Sequence, residues 1–208
     1  MPRPISAVAT VGAVLMAGAF CPPAPVQAAD QTAAVVLFYA TTPVTTYSGV
    51  VPEEYASAGM STRLTAASAG RLTVVPRDQV RAQEQGLRWR ESDVLRFGRL
   101  EELAHAAGAG RLVVGWIRQL IIDHLGGGAG DLDVGGGEGG GLTVGDAVME
   151  IQVFDAAQGR ITYQTEVAGH ATGAITMRVV QDTLDDTVGR AVAQIVGALT
   201  AAPAVPVP

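Results

Sequence analysis

Three histidines, a glycine run holding three acids, and a tryptophan between two arginines are the residues of this 208-residue chain whose types and spacing could do chemistry. His124 follows Asp123, and Ser48, Ser57 and Ser61 lie upstream, so a hydrolytic Ser/His/Asp set with His124 as general base can be assembled on paper. No Gly-x-Ser-x-Gly elbow frames any of these serines, and such trios can be drawn from almost any sequence. His105 falls on a helical pattern and reads as a surface residue, while His170 stands alone. No catalytic residue is expected, and a secreted hydrolase using His124 is the rival reading.

Between Gly126 and Gly141 ten glycines surround Asp131, Asp133 and Glu138. Hard cations take several oxygens from acidic loops, so calcium is the ion such a segment would hold. The stretch GGAGDLDVGGG nevertheless sets an aspartate one residue off the Gly/Asp nonapeptide pattern, and a single copy of that repeat cannot stack. A solvated loop over 126–142 joining two strands is the plainer expectation. It is no phosphate loop, having no Lys-Ser/Thr ending and leading into a strand. Its glycines also lack the alternation of a barrel-crossing hairpin. Neither a metal site nor a cofactor is expected, with a calcium-dependent binding module through 126–142 as the second rival.

Arg88-Trp89-Arg90 is the partner-binding candidate, because tryptophan and arginine dominate interface hot spots. The bland alternative is an aromatic ring covering the edge of the core. From Arg77 to Glu102 six arginines balance six acids, which describes a solvated mixed-charge face and no basic patch. The whole chain has 14 arginines, no lysine, 20 acids and a formal charge of −6, so nucleic acid is set aside as a partner.

Residues 1–29 read as a cleaved export signal: Arg3 gives the positive start, 5–20 is uncharged and apolar, and Val26-Gln27-Ala28 fits a signal peptidase. Sixteen apolar residues rich in alanine and glycine, followed by Pro22, Pro23 and Pro25, are short for a membrane span. Cys21, the one cysteine, falls inside this segment, and Phe20 before it disfavours lipidation. The mature chain would then carry no disulfide and no thiolate site.

The remaining 30–200 reads as one α/β domain, with a Pro-rich disordered tail at 201–208. The apolar run 33–39 (AAVVLFY) predicts a strand buried on both faces. Pro52, Glu53 and Glu54 open a helix whose Ala56, Met60, Leu64 and Ala67 recur at helical spacing. A short strand at 71–76, a helical turn at 79–85, and a full helix from Ser92-Asp93 with Val94, Phe97, Leu100, Ala104 and Ala107 on one face follow. Residues 111–122 predict a strand. Segments 147–155 and 160–168 predict a hairpin, with Ile161, Tyr163, Thr165 and Val167 facing one way. A last helix over 175–199 carries Val179, Leu184, Val188, Ala191, Ile195 and Leu199 on a stripe. The order β-α-β-α-β, β-hairpin, helix predicts a mixed sheet of about five strands with helices packed on it.

Three stretches carry a family resemblance: MSTRLTAASAGRLTVVPRDQV (60–80), with Leu72-x-Val74-Val75-x-Arg77; FGRLEELAHAAGAGRLVVGWI (97–117), a helix broken by glycine before a strand; and the hairpin MEIQVFDAAQGRITYQTEVAG (149–169). Together they resemble the TolB amino-terminal domain and its relatives, the curli channel lipoprotein CsgG, the activator LpoB and the flagellar protein FlgO. The resemblance implies an α/β fold and a non-enzymatic accessory role in the bacterial envelope, periplasmic or outer-membrane-associated. It implies action through an envelope protein partner or a homo-oligomer. Its motifs are structural and transfer no site residue, and the chain departs from the group in lacking a lipobox and a propeller domain.

Overall fold

The computed structural model describes residues 32–36, 38–41, 49–125 and 141–200. The signal-like segment with Cys21, Ser48, the glycine-rich stretch up to residue 140, and the tail 201–208 lie outside the described residues. A six-stranded mixed sheet forms the centre, in the order β3-β1-β4-β5-β6, with β2 pairing on β4. The strands are β1 (Thr32–Val35), β2 (Tyr39–Ala40), β3 (Thr73–Val74), β4 (Arg111–Leu125), β5 (Leu142–Asp155) and β6 (Arg160–Gly173). β1, β2 and β3 run parallel to their neighbours, and β4, β5 and β6 form an antiparallel meander. The helices are α1 (Pro52–Ala67), α2 (Arg77–Gly86), α3 (Phe97–Ala107) and α4 (Thr176–Thr200).

Two apolar layers explain this architecture. On one sheet face α1 contributes Ala56, Met60 and Leu64, and α4 contributes Leu184, Val188 and Ile195, against Val113, Ile117, Met149, Ile151 and Val153. All of these residues but Val188, at 1 %, are fully buried. On the other face α2 and α3 bring Val80, Leu100, Leu103 and Ala104 onto Ala34, Val36, Leu112, Val114 and Phe154. The α4 stripe read from the sequence is buried throughout, and Thr183 and Thr187 join it, their hydroxyls donating to the carbonyls of Val179 and Thr183. Among the described residues no helix is long and apolar enough to cross a membrane.

The structure corrects several expected boundaries. The run 33–39 is broken: Val35 lies opposite Val113 and Tyr39 opposite Trp116, four steps on one side against three on the other. A one-residue shift swaps faces. Phe38 therefore joins the α1/α4 layer, and Tyr39 joins the α2/α3 layer. Similarly, a register shift beside Thr162 turns Ile161 to the face opposite Tyr163 and Val167, so the expected common face fails there. The turn at 79–85 is a ten-residue helix, α2. The helix expected from Ser92 is divided into a 3₁₀ turn, Glu91–Leu95, and α3, because Arg96 takes an extended backbone between them. Ala67 is exposed, and Ser57 and Ser61 share the buried side of α1 instead.

Candidate functional site

α2 ends in a Schellman turn: the Trp89 N–H donates to the Glu84 carbonyl at 2.8 Å and the Arg88 N–H to the Gln85 carbonyl at 3.1 Å. Arg88 takes the left-handed position, φ +51°, where glycine is the usual occupant. That turn aims Trp89 back at the sheet. Its indole N–H donates to the Tyr39 hydroxyl at 2.6 Å, and the Arg99 guanidinium lies 5.8 Å from the ring centre. Burial, partly opposed by the hydrogen bond from Trp89, pushes the Tyr39 phenol up to about 12.

Arg90 is drawn into the next element. Its N–H donates to Asp93 Oδ2 at 3.1 Å, opening the 3₁₀ turn, and Arg99 reaches the same carboxylate at 3.3 Å. Burial pushes the Asp93 carboxyl up, but these donors outweigh it and hold it below the usual carboxylate range. The sequence triplet is thus one structural unit: Arg88 at the turn, Trp89 half-buried on Tyr39, Arg90 at the start of the 3₁₀ turn.

Two adjoining grooves flank this unit. One, of about 430 Å³, is lined by Tyr39, Glu54, Glu84, Arg88, Trp89 and Glu91. The other, of about 520 Å³, lies across the 3₁₀ turn and shares Glu91, with Leu95, Phe97, Trp116, Arg118 and Gln152 on its walls. Leu95 is 76 % exposed and Phe97 49 %. Phe97 touches Phe154 at a centroid distance of 5.9 Å, while Arg118 lies 5.8 Å from the Trp116 ring and its Nε donates to Glu150 at 2.8 Å.

This second groove was not legible as a site. Phe97 belongs to an apolar helical pattern and Trp116 to an apolar strand, so both read as core. The divided helix exposes Leu95 and Phe97. Among the described residues no helix covers the sheet beyond Trp116 on that face, since the α2/α3 layer ends there.

Among the described residues, the candidate hydrolytic side chains are not brought together. Ser57 Oγ is buried, accepting the Phe38 N–H at 2.8 Å and donating to the Glu53 carbonyl at 2.7 Å. His124 lies exposed near the end of β4, with Nδ1 3.1 Å from Thr143 Oγ1, and Asp123 projects from the opposite face of the strand. His170 pairs with Asp146 at 2.8 Å on the surface, and His105 is exposed on α3. Among the described residues no three His, Cys, Asp or Glu side chains could hold a metal ion.

No protein-family model matches the chain, and no curated protein does. Solved structures do. Lipoprotein GNA1162 from Neisseria meningitidis aligns over 78 % of this chain and 97 % of its own at 13 % identity and TM-score 0.51. The LpoB C-terminal domain from Salmonella enterica aligns over 67 % and 82 % at 15 % identity and TM-score 0.38. The PelC dodecamer from Paraburkholderia phytofirmans aligns over 86 % and 93 % at 15 % identity and TM-score 0.44. The first of these shows a shared fold, a mixed α/β sheet with a C-terminal helix.

Proposed function

We propose that the chain is an exported, non-enzymatic accessory protein of a bacterial envelope assembly, periplasmic or outer-membrane-associated, that works by holding another protein. The observation that carries this reading is the groove of Leu95, Phe97 and Trp116 beside the tryptophan–arginine unit of Arg88, Trp89 and Arg90. Exposed apolar and aromatic side chains next to Arg118, and close to Arg88 and Arg90, match the composition of binding hot spots. The fold shared with a bacterial lipoprotein and the export features of 1–29 support an envelope location.

The test is crosslinking in cells with the protein tagged at 201–208, comparing wild type with Leu95→Ser/Phe97→Ser and with Trp89→Ala. A defined envelope protein should be recovered with wild type and fall at least fivefold with the double variant, while its melting curve stays that of a folded protein. Undiminished recovery by the double variant would sink the groove as the contact. Self-crosslinked species alone would replace a separate partner with a second copy of the chain.

A further inference from the structure

Among the described strands the sheet has two edges, and they differ. β3 offers two residues, whereas β6 runs for fourteen along the other side. The His170 N–H donates to Asp186 Oδ2 of α4 at 3.1 Å, so it points away from β5. Strand backbone groups alternate in direction, and the β5–β6 register is continuous from Tyr163 to Gly173. The N–H and C=O groups of Gln164, Glu166 and Ala168 therefore also point outward, and among the described residues none of them finds a partner. Asp186 closes this window at His170, and the register shift at Thr162 closes its other end.

From Gln164 to Ala168 the one charged side chain is Glu166. Glu166 stands directly opposite Glu150. Glu150 is 8 % exposed and satisfied by Arg118, Gln152 and Gln164, at 2.8 to 2.9 Å. Glu166 is exposed and forms no ion pair among the described residues. Arg118 already neutralises Glu150, whereas Glu166 lacks a cation among the described residues, so a cation on its outer side would supply the opposite-charge neighbour. In a chain of net charge −6, the same carboxylate discourages copies of this chain from pairing edge to edge.

We propose that the β6 edge from Gln164 to Ala168 takes an extended basic segment of a partner protein as an added strand, with a lysine or arginine facing Glu166. Main-chain hydrogen bonds to three outward residues supply the attachment, and Glu166 supplies the choice. The Leu95–Phe97 groove adjoins this edge through Arg118 and Gln152, but neither Glu166 nor Ala168 lines it, so variants at those two positions and variants at Leu95 and Phe97 each change one surface.

The probe is an N-acetylated, C-amidated octapeptide alternating valine and lysine, compared with its glutamate-for-lysine counterpart, with amide exchange followed by NMR. At low salt the lysine peptide should slow exchange at Gln164, Glu166 and Ala168 and bind at least tenfold more tightly than the glutamate peptide. Ala168→Pro removes an outward N–H that no ladder bond uses, so the fold tolerates it while the strand can no longer add. Glu166→Lys should reverse the preference between the two peptides. The proposal is overturned if both peptides bind alike or not at all, if protection appears elsewhere, or if folded Ala168→Pro binds as wild type does. It is also overturned if the three amides are equally protected without peptide. Should Ala168→Pro fail to fold, the Glu166→Lys reversal decides.

Discussion

One methyl group added at Gly169 measures how closely α4 lies on the β5–β6 hairpin. A Cβ there would sit 2.6 Å from the Thr187 backbone N and 2.8 Å from its Cα, overlapping Thr187 Oγ1 as well. Non-bonded heavy atoms prefer about 3.5–4.0 Å, so α4 must retreat by roughly 1 Å, and a helix backbone cannot rotate out of the way. Overpacking costs about 1–3 kcal/mol, and this site belongs at about 3.

Gly145 makes the control. Its Cβ would meet Thr183 Oγ1 first, then Val179 Cγ1 at 3.0 Å and Ile122 Cδ1 at 3.2 Å, all side-chain atoms. Gly145→Ala should cost about 2 kcal/mol, with about 1 kcal/mol returned when Thr183→Ala is added. Adding Thr187→Ala to Gly169→Ala should return almost nothing, because the backbone overlap persists. Urea titration followed by circular dichroism reads both cycles. With a slope of about 2 kcal/mol per molar, Gly169→Ala lowers the midpoint by about 1.5 M. A drop under about 0.3 M, or full recovery with Thr187→Ala, would refute the close approach of α4.

Tyr39→Phe leaves the Trp89 N–H without its acceptor and should cost about 1–2 kcal/mol in the same titration. The phenol is raised in the folded state, so its stabilising effect is complete below the ordinary tyrosine value and is lost as pH climbs towards about 12; ultraviolet titration should show Tyr39 ionising late. The Asp93 carboxyl is lowered, so its contribution is present above the ordinary carboxylate value and disappears as pH falls through the folded value. Asp93→Asn should therefore differ from wild type at neutral pH and converge with it in acid, read as melting temperature against pH. Arg88→Gly relieves a left-handed backbone at φ +51°, and should be neutral or up to about 1 kcal/mol stabilising in the urea titration while lowering partner recovery in the crosslinking assay.

The order of elements was legible because each was written in local pattern. The Val179-to-Leu199 stripe, the Pro52-Glu53-Glu54 start of α1, the break at Gly108, and the Asp155–Gly159 turn each follow from near-neighbour spacing. The Arg88–Trp89–Arg90 triplet also stood out, since composition alone marks it. Local pattern could not show that Val35 and Tyr39 would pair with β4 one residue out of step, because a register shift belongs to two strands at once. Yet that shift brings Tyr39 under Trp89. Nor could it show that Arg96 would extend and expose Leu95 and Phe97, or that Trp116 would lie where the α2/α3 layer stops.

The outward amides of β6 were hidden for the same reason: whether a strand lies at an edge depends on what pairs beside it. The sequence by itself determined the order of the main helices and strands and the apolar stripe of α4, since periodicity along the chain carries that information. Only the tertiary structure decided which apolar residues stay uncovered and which backbone groups stay unpaired, because coverage is a relation between segments distant in sequence.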